Sequence, residues 1–149
     1  MPAHKESRHL PYSPKQLFDL VADVEKYPEF LPWCVAARIN KRMENILHAD
    51  LVIGFKTFRE SYTSHVTLLE PSSPDGLYEV RARLVHGPFS HLMNDWIFRP
   101  AKNGGTDIDF SVDFKFKSAM LEAIIGQFFD NAIHKMVTAF EERAKVLYG

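Results

Sequence analysis

Across residues 34–116 apolar side chains return at every second position, and across residues 118–148 they return at every third or fourth. This change of period constrains the fold more than any other feature of the chain. A period of two sends alternate side chains to opposite faces of a strand, whereas 3.6 lines them along one stripe of a helix. Residues 107–116 are the clearest case: Ile108, Phe110, Val112, Phe114 and Phe116 share one face, and Asp107, Asp109, Ser111, Asp113 and Lys115 share the other. One dry and one wet side is the pattern of an antiparallel sheet. Further dry faces are formed by Tyr78, Val80, Ala82 and Leu84, and by Leu92, Asn94, Trp96 and Phe98. Leu47, Ala49, Leu51, Ile53 and Phe55 supply another, and Tyr62, Ser64, Val66 and Leu68 one more. Turn residues at 71–76, at Gly87-Pro88 and at Asn103-Gly104-Gly105 separate these runs, which predicts a meander of about six strands.

Residues 5–10 read as a weaker first strand. Ser13 followed by Pro14 is an N-cap ahead of a proline at the first helical position, and Leu17, Phe18, Leu20 and Val21 form the stripe of a short helix. At the other end, residues 118–148 predict one helix of roughly 45 Å. Its stripe comprises Leu121, Ile125, Phe128, Phe129, Ala132, Met136, Ala139, Phe140 and Leu147. Met120 and Ile124 fall off that stripe, and Gly126 marks a bend or a close approach. With no linker or repeat, residues 1–149 read as one α+β domain in which a curved antiparallel sheet of six or seven strands wraps around a long C-terminal helix.

Between the first helix and the meander lies Tyr27-Pro28-Glu29-Phe30-Leu31-Pro32-Trp33-Cys34. Its two prolines remove two backbone donors and fix φ, so neither a long helix nor a central strand can pass through. Tyr27, Phe30, Leu31 and Trp33 therefore project from a stiff bend, either to plug the core or to form one wall of an apolar cavity.

Composition narrows the function classes. A hydrophobic fraction of 46% supports a folded globule, and a net charge of -1 gives no global electrostatic case for binding nucleic acid, DNA or RNA. The single cysteine, Cys34, excludes an internal disulfide framework and suits a reducing compartment. No apolar run reaches the length of a membrane span and the start lacks a signal-peptide core, so the expectation is a cytoplasmic protein. Catalytic constellations are missing. Asp107, Asp109 and Asp113 alternate on a wet face, Cys34 lies in no thiol-nucleophile signature, and His86 and His91 lack further metal ligands. No metal, cofactor or enzymatic activity is expected.

The order of strand, short helices, meander and long C-terminal helix resembles the helix-grip fold of START-like, polyketide cyclase-related domains. The segment Val21-Ala22-Asp23-Val24-Glu25-Lys26-Tyr27-Pro28-Glu29-Phe30-Leu31-Pro32-Trp33-Cys34 is similar to that of small bacterial relatives of the coenzyme Q-binding START proteins. Gly87-Pro88-Phe89, the face Leu92, Asn94, Trp96 and Phe98, and residues 128–148 support the likeness. The resemblance implies a carrier or chaperone of ubiquinone that supports respiration, with the quinone as cargo and with transient contact at the inner membrane. The same subfamily includes ribosome-associated toxins that hinder subunit joining, and an aromatase/cyclase-like enzyme is a third alternative. A hydrocarbon tail needs only a dry groove, at about 0.8 kcal/mol per buried CH₂.

Together with the aromatic dry face, the resemblance predicts a cavity walled by Phe30, Leu31, Trp33, Leu51, Val66, Val80, Trp96, Phe110, Leu121, Ile125 and Phe128. Tyr62, Ser64, Tyr78 and Asn94 are its polar groups. Phe89, Met120, Ile124 and Phe129 are expected to form the portal, beside Lys115 and Lys117.

Overall fold

The computed structural model describes residues 3–149. β1 (Ala3–Leu10) leads through α1 (Pro14–Ala22) and a 3-10 turn (Val24–Glu29) into β2 (Cys34–Met43), β3 (Ile46–Phe55), β4 (Phe58–Leu69), β5 (Tyr78–His86), β6 (Phe89–Pro100) and β7 (Thr106–Phe116). The chain closes with α2 (Ala119–Leu121), a π turn (Glu122–Gly126), α3 (Gln127–His134) and α4 (Met136–Tyr148). All strands join one antiparallel sheet in the order β1-β7-β6-β5-β4-β3-β2, a six-stranded meander with β1 added beside its last strand. Pairing brings the dry faces into register: Trp96 lies opposite Phe110, and Leu92 opposite Phe114. Irregularities at Cys34/Ala36, Thr63/Ser64 and Phe89/His91 bend the strands, which is how a sheet curls around a helix.

α1 begins as its sequence dictates. Ser13 Oγ accepts from Gln16 N at 3.1 Å and Gln16 Oε1 accepts from Ser13 N at 3.0 Å, a reciprocal cap that satisfies two end donors. The bend that follows is the 3-10 turn, which accommodates Pro28, and it buries Tyr27, Leu31 and Trp33.

The C-terminal segment differs from the single helix that its period predicts. It is interrupted by the π turn and again at Lys135, where φ is -103° and ψ 5°. Each interruption shifts the helical phase. Ile125, Phe129, Ile133, Val137, Phe140 and Ala144 form the buried line, while Leu147, expected on the stripe, is 49% exposed because the last turn emerges from the core. Met120 and Ile124 are exposed, at 66% and 43%.

The two ends of this segment are held differently. Arg8 donates to Thr138 Oγ1 and Glu141, Arg143 donates to Glu29 at 2.7 Å, and the Tyr148 hydroxyl donates to the Gln16 carbonyl at 3.0 Å. α4 is thereby tied to β1, the 3-10 turn and α1. Among the described residues, no side-chain hydrogen bond ties residues 119–134 to the sheet; apolar packing of Ile125, Phe128, Phe129 and Ile133 holds them.

Candidate ligand-binding cleft

Small side chains on the dry face of β4 and β5 leave room that the aromatic side chains of β6 and β7 do not. Ser64, Val66, Val80 and Ala82 floor a cleft, roofed by Phe129, Ile133 and Met136 from the helices. Val24, Tyr27 and Trp33 from the bend close one side, and Leu51, Leu92, Trp96 and Val112 complete the apolar wall. About 600 Å³ of space lies between these walls out to the mouth, but only about 50 Å³ of it admits the centre of a water molecule. The cleft is narrow, and a ring-sized ligand enters only if its walls part.

No carboxylate, imidazole, amine or guanidinium lines it; its polar groups are hydroxyls, one amide and two indoles. Several are already engaged. Asn94 donates through Nδ2 to the Ser111 carbonyl at 3.0 Å and accepts from Trp96 Nε1 at 3.2 Å. The Tyr27 hydroxyl donates to the Val21 carbonyl. Tyr62 and Ser64, by contrast, are buried residues whose hydroxyls stay open to the cleft they line. Trp33 Nε1 is buried with no partner at all. Burial pushes the Tyr62 hydroxyl well above the ordinary tyrosine range, and it pushes the Cys34 thiol beside the cleft up to about 12. Both are therefore protonated at neutral pH.

A family model described as polyketide cyclase / dehydrase and lipid transport matches residues 10–141. The chain belongs to that family. Within it, the chain is 41% identical to the ribosome association toxin RatA of Rickettsia prowazekii, over 97% of both chains. It is 35% identical to the mitochondrial coenzyme Q-binding protein COQ10 homolog B of Xenopus laevis, over 98% of this chain and 59% of that one. Among solved structures, the solution structure of an 18 kDa protein from Caulobacter crescentus is 35% identical at a TM-score of 0.72, covering 100% of this chain and 99% of that one. The Zhui aromatase/cyclase of Streptomyces shares the fold at a TM-score of 0.74, covering 96% of this chain and 93% of that one, with 15% identity. The curved sheet gripping C-terminal helices is thus the helix-grip architecture of START-like proteins, as its periodicity and resemblance imply.

The cleft of this family member brings together Trp33, Leu51, Tyr62, Ser64, Val66, Val80, Asn94 and Trp96 from the residues that the sequence nominates. Other nominated residues lie elsewhere. Phe30 packs edge-on against Tyr27 and Phe140 beneath the Arg143 guanidinium. Tyr78 packs on Phe18 of α1, Phe110 on Trp96, and Phe128 stacks on Phe55 at the β3–β4 hairpin. Leu31 and Ile125 are core, and Leu121 is half-buried beside it. The portal residues divide. Met120 and Ile124 are exposed, but Phe89 is fully buried among Tyr62, Phe114, Phe116 and Phe129, and Phe129 forms part of the cleft roof. Phe89 sits inward because the turn before it is tight. Gly87 has φ +151°, and a Cβ there would come within 2.4 Å of Tyr62 Cβ.

Tyr27 of the bend is a wall, as its stiff segment suggests, whereas Val24, Ala82, Leu92, Val112, Ile133 and Met136 are walls that the aromatic pattern does not nominate. The available signal was residue size: small side chains at consecutive inward positions mark space, whereas large ones fill it. The carboxylates of β7 serve as surface pairing groups, Asp107 with His9, Asp109 with Arg99 and Ser7, and Asp113 with His91.

Proposed function

We propose that the cleft binds ubiquinone or a similar prenylated quinone and that the protein acts as its carrier. The observation that carries this reading is an apolar cleft without charged groups whose floor offers the open hydroxyls of Tyr62 and Ser64. A quinone ring is neutral and polar only at its carbonyls, and its isoprenoid tail gains about 0.8 kcal/mol per buried CH₂. The coenzyme Q-binding name of the Xenopus laevis relative supports the same ligand class. Turnover does not accompany binding in this reading. A cyclase needs an acid or base near neutral pH, whereas burial moves the Tyr62 hydroxyl away from neutrality.

Entry runs beneath residues 119–134, the part of the helical segment that no side-chain hydrogen bond among the described residues ties to the sheet. Met120 and Ile124 project outward there, and the exposed Lys115 and Lys117 precede them. In this proposal they meet an anionic lipid surface, each lysine adding about 1 kcal/mol. No helix among the described residues is long and apolar enough to cross a membrane, so contact would be made at the surface. Organic extraction of protein purified without added lipid, followed by mass spectrometry, tests the reading. A prenylated quinone in amounts approaching the protein is expected. Absence of any quinone, or a chemically altered one in excess of the protein, would oppose it.

A second reading, association with the ribosome, is favoured by the 41% identity to RatA across 97% of both chains. Co-sedimentation with ribosomal subunits tests it: movement of the protein into a subunit peak supports ribosome association, and its retention at the top of the gradient opposes it.

A further inference from the structure

The free hydrogen-bonding groups of the cleft are unusually one-sided. Trp33 Nε1 can only donate, and it is buried without a partner. The hydroxyls of Tyr62 and Ser64 line the cleft and, unlike the Trp33 indole, are open to water or to whatever enters it. The remaining polar groups are committed, Asn94 to Ser111 and Trp96, and Tyr27 to Val21. The three free groups also belong to one corner of the sheet. The Trp33 carbonyl accepts from Gly54 N at 2.9 Å, which pins the Trp33 backbone to the end of β3, and its indole packs edge-on against Phe129. Tyr62 lies opposite Leu51 on the same strand, and Ser64 follows on the same face. Gly87 packs against Tyr62 and limits where that ring can move.

Resting on the quinone reading above, we propose that this corner selects the oxidation state of the cargo, holding the quinone in preference to its two-electron-reduced hydroquinone. A quinone carbonyl is a pure acceptor with two lone pairs and can take hydrogen bonds from the indole and from one hydroxyl, the other hydroxyl donating to its neighbour. The hydroquinone brings two O–H donors of its own. The hydroquinone oxygens still accept, but their added protons must share the few acceptors of the corner, the Tyr62 and Ser64 oxygens and the ring oxygen itself, so the corner carries a surplus of donors. A buried donor without a partner is costly enough to give the quinone about tenfold tighter binding. A carrier built this way takes up oxidised cargo and yields it where it is reduced.

Anaerobic titration calorimetry with a decyl-tailed benzoquinone, and with the same compound reduced, tests the proposal on the full chain. The wild type is expected to bind the quinone about tenfold more tightly. Trp33→Phe and Tyr62→Phe are each expected to weaken quinone binding and to narrow that gap, with folding checked by thermal melting. Should Trp33→Phe fail to fold, Tyr62→Phe combined with Ser64→Ala carries the same test. Equal affinity for both oxidation states in the wild type would overturn redox selection while leaving quinone binding intact. A preference that survives all three substitutions would overturn the assignment to this corner. Binding of neither form would overturn the quinone reading itself, and this inference with it.

Discussion

The two halves of the sheet's dry face are both apolar, yet one is solid and the other holds the cleft. On β6 and β7 most inward positions are aromatic, Phe89, Trp96, Phe98, Phe110, Phe114 and Phe116, whose rings interlock with Phe129 and Phe140, and only Leu92, Asn94, Trp96 and Val112 of these strands line the cleft. On β4 and β5 the corresponding positions are Ser64, Val66, Val80 and Ala82. Hydropathy does not distinguish them; volume does. The aromatic half contributes the packing energy that lets the other half stay open, since a fold this size tolerates few unfilled spaces.

Removing a ring from the solid half should have the largest effect. Phe114 is buried against Phe89, Phe116 and Phe129, so Phe114→Ala is expected to cost about 3–5 kcal/mol in urea unfolding. A loss below about 1 kcal/mol would mean that this half is not close-packed. Enlarging side chains should separate the halves next. Ile108→Phe, on a buried position of β7, is expected to cost about 1–3 kcal/mol through overpacking. Ala82→Leu, on the cleft floor, should change stability by less than about 1 kcal/mol while weakening quinone binding at least about tenfold. Equal destabilisation by the two substitutions would erase the distinction.

How much of this was legible in the sequence follows from the same contrast. Alternation and turn chemistry reveal the strands because the inward face is dry and the outward face wet, and Ser13-Pro14 reveals the start of α1. Register and face are likewise readable at Trp96 and Phe110. The cleft is harder to read because aromatic residues draw attention to themselves. Phe110 and Phe128 look like walls and are filling, whereas Ala82 looks unremarkable and marks the space. The breaks at 122–126 and at Lys135 escape a period count, since a π turn shifts the stripe by about one residue without altering its composition. Phe89 was legible only as an aromatic after a turn; its burial depends on how closely Gly87 lets the backbone approach Tyr62.

Alkaline pH should act through Tyr62 in the open half and through the buried Cys34 at the start of β2. Both have folded-state pKa values raised by burial, that of Cys34 to about 12 from 9.0. The folded state therefore holds these protons more tightly. Their contribution is complete below the ordinary thiol range and is lost as pH rises through about 12. Urea unfolding is expected to show stability unchanged by these groups near pH 8 and falling above pH 10, with a shallower fall in Tyr62→Phe. A fall equally steep in that variant would remove Tyr62 from the account. The same burial predicts that native Cys34 reacts with iodoacetamide at pH 8 far more slowly than the urea-unfolded chain.

The smallest expected effect on stability is at the exposed end of the helical segment. Replacing Met120 and Ile124 together by serine should leave stability within about 0.5 kcal/mol, because both side chains already face solvent. Quinone exchange with anionic vesicles should slow. A large loss of stability would show that these residues are packing groups instead.

The proposed cargo site is the cleft over β4 and β5, bordered by Leu92, Asn94, Trp96 and Val112, and not the aromatic cluster beyond them. Methyl-resolved NMR during titration with a short-tailed ubiquinone tests this most directly. Saturable shifts are expected at Val66, Val80, Ala82, Ile133 and Met136, with Ile108 at the far end of the aromatic half changing least. Shifts confined to the exposed Met120 and Ile124, or no saturable shift at any methyl lining the cleft, would contradict it.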